Sequence, residues 1–532
     1  MANYSPTKLL SRGSESLWLF AFAIVTLSAL CGCRKSAVAA SSDPPNPDQV
    51  ARRSAAPPSA AAVTPLSESP PGNPPGKVAP DAPRVQSTHQ FYGVYVTGQK
   101  AGYAEEWVRP LPDGSVEHET QVVLTMQRLG QTLKLRLSDK AIYGPDGAMS
   151  RFETVEDLGP NARTVRSGRV EGDQLVVTVT TGGKSTEQRR AAPKERAEDT
   201  LPALMVPRLR AAGAEGTTFW QFDRSTLDDI EIKSRIVRER EVRVSGVPTV
   251  VLEVDGRDER RGLTLGSRLT ASGLALEMTV GPGFKLVLEE ESVAKNPSLQ
   301  VPDLYRLAVV PADKPLGRPD DVKRLRLALD GLPEAAGPSD GRQTRSEGSV
   351  LEVRRVDCKD VPKTAITAAE RSKYLEATAF IDHAAPSVHA RLAGVATGPG
   401  RAERLSRLVT GALRYTLATA PMTASAIFEG GAGDCTEYAR ALVALLRADG
   451  IPAREVSGMA WSGDGEPGFA FHAWAEAYVV AAGESDGRWC ALDPTWDQVT
   501  PDATHIALSR DDPTAIIGLL GGVKARIIDV ER

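Results

Sequence analysis

Charge of one sign is what this sequence most plainly lacks. Lys and Arg together number 64 against 68 Asp and Glu, a formal net charge of −4, and the pI is about 6.0. Such a balance implies neither a nucleic-acid partner nor attraction to an anionic membrane surface. The basic cluster Arg257-Asp258-Glu259-Arg260-Arg261 is broken by acids and reads as a solvated strand or turn surface. Long apolar runs are missing too. Beyond one N-terminal stretch, no segment approaches the ~18 uninterrupted apolar residues of a membrane-crossing helix. No closely spaced acids follow a calcium-loop pattern, and no metal or other cofactor is expected. Cysteine is scarce, five in 532 residues, so a cysteine set among ordered motifs carries information. What remains is ordinary: 41% hydrophobic and 25% charged residues suit a globular protein with room for roughly two to four domains.

The N-terminus reads as a targeting segment. Lys8 and Arg12 precede an apolar run from Leu17 to Leu30, the length of a signal-peptide core and short for a bilayer span. The run ends in Leu30-Cys31-Gly32-Cys33, which resembles the lipobox of bacterial lipoproteins with Cys33 as the lipid-bearing residue. That resemblance implies an exported chain tethered to a membrane of the cell envelope by its N-terminal lipid. Residues 34–88 are rich in Ala, Pro and Ser, with Pro44-Pro45, Pro57-Pro58, Pro70-Pro71 and Pro74-Pro75. Too few large apolar side chains are present there to offset ordering entropy, so a disordered tether is expected.

From 89 to 299 the pattern becomes short alternating stretches, among them Tyr92 to Val96, Gln121 to Met126, Leu133 to Leu137 and Leu175 to Val179. Turn signals such as Pro112-Asp113-Gly114 and Pro145-Asp146-Gly147 separate them, which predicts a curved antiparallel sheet or half-barrel. His89 and His118 are isolated and read as surface histidines. Residues 300–362 carry short candidate strands and form a small β region or linker. Cys358, at its end, reads as a structural thiol.

Helical periodicity begins near Ile366 and runs through Ala368 to Ile381, Ala385 to Leu392 and Arg401 to Leu417. A glycine turn, Gly430-Gly431-Ala432-Gly433, then precedes Asp434-Cys435. Asp434 with Glu437 three residues later reads as a capping box, and Ala439, Leu442, Val443 and Leu446 as the buried stripe. Gly450 and Pro452 end the helix. Cys435 therefore sits at a helix N-terminus, where the macrodipole and orphan N–H groups favour thiolate. Three strands follow: Arg454 to Trp461, Phe469 to Val480 and Arg488 to Asp493. A period of two in the second puts His472, Trp474, Glu476 and Tyr478 on one face. Asp493, closing the third, can orient the imidazole of His472. Trp474 shares the face of His472 and is a candidate for lining a cleft. Cys490 lies on the strand face opposite Asp493 and reads as packing, while His383, His389 and His505 read as surface or core residues.

Gly433-Asp434-Cys435-Thr436-Glu437-Tyr438-Ala439, Gly450-Ile451-Pro452-Ala453-Arg454, Phe471-His472-Ala473-Trp474-Ala475-Glu476 and Leu492-Asp493-Pro494-Thr495-Trp496 resemble the core of the transglutaminase-like superfamily. The resemblance implies an α+β architecture in which residues 363–532 form a papain-like, transglutaminase-like domain behind the β-rich region. It implies Cys435 as nucleophile, His472 as base and then acid, and Asp493 as orienting acid. The activity it implies is acyl transfer from a protein or peptide amide, resolved by water or by an amine. A catalytically inactive, peptide-binding envelope module is the alternative.

Overall fold

The alternating stretches fold into antiparallel strands because each exposes one face and buries the other. The computed structural model describes residues 85–532 apart from 129–130, 158–162, 182, 297–300, 304–306, 308, 335, 379, 417–421, 464–466 and 511–518. The targeting segment with Cys33 and nearly all of the 34–88 stretch lie outside the described residues.

Fourteen strands between Thr88 and Leu288 make one antiparallel sheet. Its order starts at Lys184–Ala191 and runs back, hairpin by hairpin, to Thr88–Val96. There it crosses to Phe284–Leu288 and runs back again to Thr217–Asp223. Between the two halves the chain forms the short helix Ala197–Thr200 and the helix Pro202–Ala212. Leu201 precedes the longer one and Pro202 opens it, where a missing N–H costs nothing. Met205, Val206 and Leu209 of this helix pack with Tyr92, Leu124, Phe219 and Leu252 of the sheet in one core.

Residues 309–354 contribute strands to sheets that the C-terminal region completes. Val309–Pro311 pairs with the start of Gly468–Val479, within the five-stranded sheet that also holds Ala453–Gly463, Ile506–Arg510 and Arg488–Leu492. Gln343–Arg345, Val350–Arg354 and Arg324–Asp330 join the last strand, Lys524–Glu531. Leu327, Phe469, Phe471, Ile506 and Ile527 belong to the same core as the large sheet. A second core surrounds the helix Cys435–Ala448, where Leu442, Leu445 and Leu446 meet Leu405 and Val409 of Arg401–Ala412 and Ala475 and Ala477 of the central strand. Among the described residues no helix is long and apolar enough to cross a membrane.

Several expectations are corrected by packing that no local pattern reveals. Cys358 and Cys490 are joined in a disulfide across 132 residues of chain, so neither is a free structural thiol. His118 is buried, with Nε2 2.6 Å from Glu106 Oε1. Within the cluster at 257–261, Asp258 and Arg261 are buried rather than solvated, and Arg261 pairs with Asp223 at 2.6 Å. The helix expected to reach Leu417 stops at Ala412, because the chain turns at Leu413 into the parallel bridge of Arg414–Tyr415 with Ala432–Gly433.

Candidate active site

The helix Cys435–Ala448 begins where the sequence places it. Asp434 caps it, its Oδ1 accepting from Thr436 N at 3.1 Å, and Glu437 Oε2 accepts from Asp434 N at 3.0 Å. Gly433 is demanded by close approach: a Cβ there would stand 2.3 Å from Glu437 Cβ. Burial, and then the neighbouring charge of Asp434, push the Glu437 carboxyl well above its ordinary range. Tyr438 donates from its hydroxyl to the Leu413 carbonyl at 2.6 Å, tying the helix to the preceding bridge.

Cys435 is fully buried and outside any disulfide. It packs with Ala439, one turn along its own helix, and with Ala473 of the central strand. The neighbour of Ala473 is His472, also fully buried. The imidazole Nε2 of His472 lies 3.0 Å from Asp493 Oδ2. Asp493 closes the strand Arg488–Leu492 and is held by a two-way backbone bridge with Gln498, both N–O distances 2.9 Å. Its Oδ1 accepts from Thr495 N at 2.8 Å. Burial would raise the Asp493 carboxyl, but the His472 charge and hydrogen bonds from His472 and His505 outweigh it and hold the group well below the carboxylate range. The structure thus brings His472 and Asp493 into direct contact, and sets Cys435 at the capped helix end, against the residue next to His472.

Trp474 is fully buried, packed with Val456, Ala491 and Ala507, its ring 6.1 Å from that of His472. The ring stacked on His472 is instead Trp496, at 4.4 Å and 12°. Gly458, opposite His472 in the strand register, makes room for the Trp474 ring; a Cβ there would lie 2.4 Å from Trp474 Cη2. Glu476, further along the strand, is structural. Arg454 and Arg510 reach its Oε2 at 2.8 and 3.0 Å, fastening three adjacent strands through one carboxylate.

Two residues near the histidine carried no motif signal. His505 Nε2 lies 3.2 Å from the same Asp493 Oδ2, and its Nδ1 lies 3.3 Å from Asp502 Oδ1. The available sequence clue was a rare histidine, one of six, placed just before a strand and close behind the Asp493 loop. His472, Asp493 and His505 are also the described residues whose potential metal-ligand atoms cluster, within 4.8 Å of one another. Separations of 3.0 and 3.2 Å between each ring nitrogen and the carboxylate are hydrogen-bond distances, and they account for the cluster.

Residues 387–494 match the Transglutaminase-like superfamily, so this part of the chain is a transglutaminase-like domain. No curated protein matches the chain in sequence. Among solved structures, a beta-barrel-like protein of a domain of unknown function from Brucella abortus is 10% identical, with a TM-score of 0.31 over 38% of this chain and 96% of its own. A "Putative Cysteine Protease" from Cytophaga hutchinsonii is 12% identical, with a TM-score of 0.26 over 40% of this chain and 86% of its own.

Proposed function

We propose that the transglutaminase-like domain is a thiol acyl-transfer enzyme of papain-like design, with Cys435 as nucleophile, His472 as base and acid, and Asp493 as orienting acid. The observation that carries the reading is the buried His472–Asp493 hydrogen bond at 3.0 Å, with Cys435, at the capped end of a helix, packed against Ala473, the residue next to His472. With Nε2 of His472 committed to Asp493, Nδ1 is the nitrogen that exchanges a proton with the thiol. Asp493 fixes that tautomer and stabilises the imidazolium that forms. The helix terminus favours the thiolate. Thiolate attack on an amide carbonyl gives a tetrahedral intermediate, His472 protonates the departing amine, and a thioester remains. Water then yields hydrolysis, or a primary amine yields cross-linking; hydrolysis is the favoured outcome.

The Cys358–Cys490 disulfide suits an oxidising compartment and supports an exported protein, anchored through Cys33 and acting on proteins or peptides of the cell envelope. Full burial of Cys435 and His472 favours a second reading, a non-catalytic peptide-binding module. The test is alkylation of the full chain with iodoacetamide at neutral pH, read at Cys435 by peptide mass spectrometry. Labelling faster than that of the unfolded chain supports an activated thiolate; labelling only on unfolding supports the binding module. Incubation with glutamine-containing peptides, with and without a primary amine and against Cys435→Ala, then separates hydrolysis from transfer.

A further inference from the structure

The buried polar groups around the proposed triad do not end at Asp493. Its Oδ2 faces two histidine nitrogens, His472 Nε2 at 3.0 Å and His505 Nε2 at 3.2 Å. The second nitrogen of His505 faces another carboxylate, Asp502 Oδ1, at 3.3 Å. All four residues are completely or almost completely buried. Asp502 is fixed from several sides: Thr504 N and Oγ1 donate to its Oδ1 at 2.8 and 2.6 Å, and Gln498 Nε2 to its Oδ2 at 2.9 Å. Gln498 is the residue whose backbone bridges Asp493, so both carboxylates are set by one loop.

An ionised carboxylate only accepts hydrogen bonds, and a neutral imidazole has one donor. A ring with a carboxylate oxygen at each nitrogen is therefore satisfied at both only as imidazolium. We propose that His505 is a positioning residue that stays protonated at neutral pH and, together with Asp502, holds Asp493 ionised and aimed at His472. This extends the triad into a chain, His472–Asp493–His505–Asp502, and its catalytic consequence rests on the reading of Cys435 and His472 given above.

Aromatic rings enclose His505. The rings of His472, Trp474 and Trp496 meet His505 in T-shaped contacts, with centroids at 5.5, 5.4 and 5.2 Å, a geometry that favours aromatic pairs. Among the described residues three further charged groups reach this loop: Arg342, whose Nη2 donates to the carbonyls of Pro501 and Asp502 at 3.1 and 3.0 Å, and the carboxylates of Asp320 and Asp357, which accept from Gln498 Nε2 at 3.0 Å and Thr500 Oγ1 at 2.9 Å. The Arg342 charge helps to keep Asp502 ionised. Between them, His505, Asp493 and Asp502 carry one net negative charge, which is cancelled when His472 takes up its proton. His505 thereby sets how strongly Asp493 draws that proton. Without the His505 charge, Asp493 and Asp502 would bear on His472 uncompensated, and proton release from the thiol–imidazole pair would move to higher pH.

Two measurements on the full chain test this. The first is ¹⁵N NMR of histidine-labelled protein at pH 8, where free imidazole is neutral. Protonation of His505 at both nitrogens supports the proposal; a neutral His505 ring overturns it, whatever Cys435 does. The second is the pH profile of iodoacetamide labelling at Cys435 in His505→Gln, whose amide can still donate to Asp493 but carries no charge. The inflection should rise by up to about two pH units, the effect of losing a unit charge 5.5 Å from the His472 ring at an effective dielectric near 20. A profile superimposable on that of the wild type, in a folded variant, overturns the coupling. If wild-type Cys435 labels only as an ordinary thiol, the reading as an enzyme fails, and the NMR result still decides the state of His505.

Discussion

Replacing Asp493 by Asn removes one charge and almost no volume, so its effect reports on the hydrogen bonds that converge there. The carboxylate accepts from Thr495 N on Oδ1 and faces His472 Nε2 and His505 Nε2 on Oδ2. An Asn that keeps its oxygen towards Thr495 turns an NH₂ towards two ring N–H donors; flipped, it loses Thr495. In the first orientation two charge-assisted hydrogen bonds disappear, each worth about 1.5–3 kcal/mol. The total, about 3–6 kcal/mol, overlaps the ~3–5 kcal/mol cost of removing one partner from a buried ion pair. On the chemical side, a unit charge pair about 4 Å apart is worth ~4 kcal/mol at an effective dielectric near 20, equivalent to about three pKa units. His505 shares Oδ2, so roughly half of that should reach His472. We expect labelling of Cys435 at neutral pH to fall by about 10- to 100-fold. Urea unfolding followed by circular dichroism gives the stability, and iodoacetamide labelling read by mass spectrometry gives the thiolate. A variant within about 1 kcal/mol of wild type and labelled at the same rate would refute the claim that Asp493 supports both fold and site.

Further outcomes follow from the same contacts. Gly433→Ala places a Cβ 2.3 Å from Glu437 Cβ and should cost about 1–3 kcal/mol; an unchanged melting temperature would count against the packing. Cys358→Ser opens a disulfide that closes 132 residues, for which chain entropy predicts a loss of up to about 5 kcal/mol, with unfolding in reductant as the check. Stability should also depend on pH through the Asp493–His505–Asp502 cluster. Asp493 and Asp502 are depressed from 3.8, so their stabilisation is complete above that value and is lost as pH falls towards their folded pKa. Burial opposes the charge on His505, but the two carboxylates raise it above 6.5, so its share is complete below 6.5 and is lost as pH rises through the raised value. The stability difference between wild type and Asp502→Asn should therefore be largest between about pH 4 and 6.5; a difference independent of pH would exclude this linkage.

Local chemistry by itself determined the parts of this protein that local chemistry controls. Alternation in the middle region specified antiparallel strands, because a half-buried strand needs a period of two. Asp434 and Glu437 specified a helix start at Cys435, because orphan amides need nearby acceptors. Period two also put His472 and Trp474 on one face of a strand. Partners distant in the chain were set by tertiary structure alone. Which side chain reaches His472 depends on how the 493–498 loop folds back, so Trp496 stacks on it while Trp474 is sealed beneath Gly458. Cys358 and Cys490 meet only because the chain between them packs as a unit. His505 and Asp502 have no motif of their own; they acquire a role because the loop that bridges Asp493 through Gln498 also fixes Asp502. Spacing along a chain constrains what hydrogen bonds can form within a turn or a strand. A buried charge is stabilised by whatever three dimensions bring to it, and that is decided by packing.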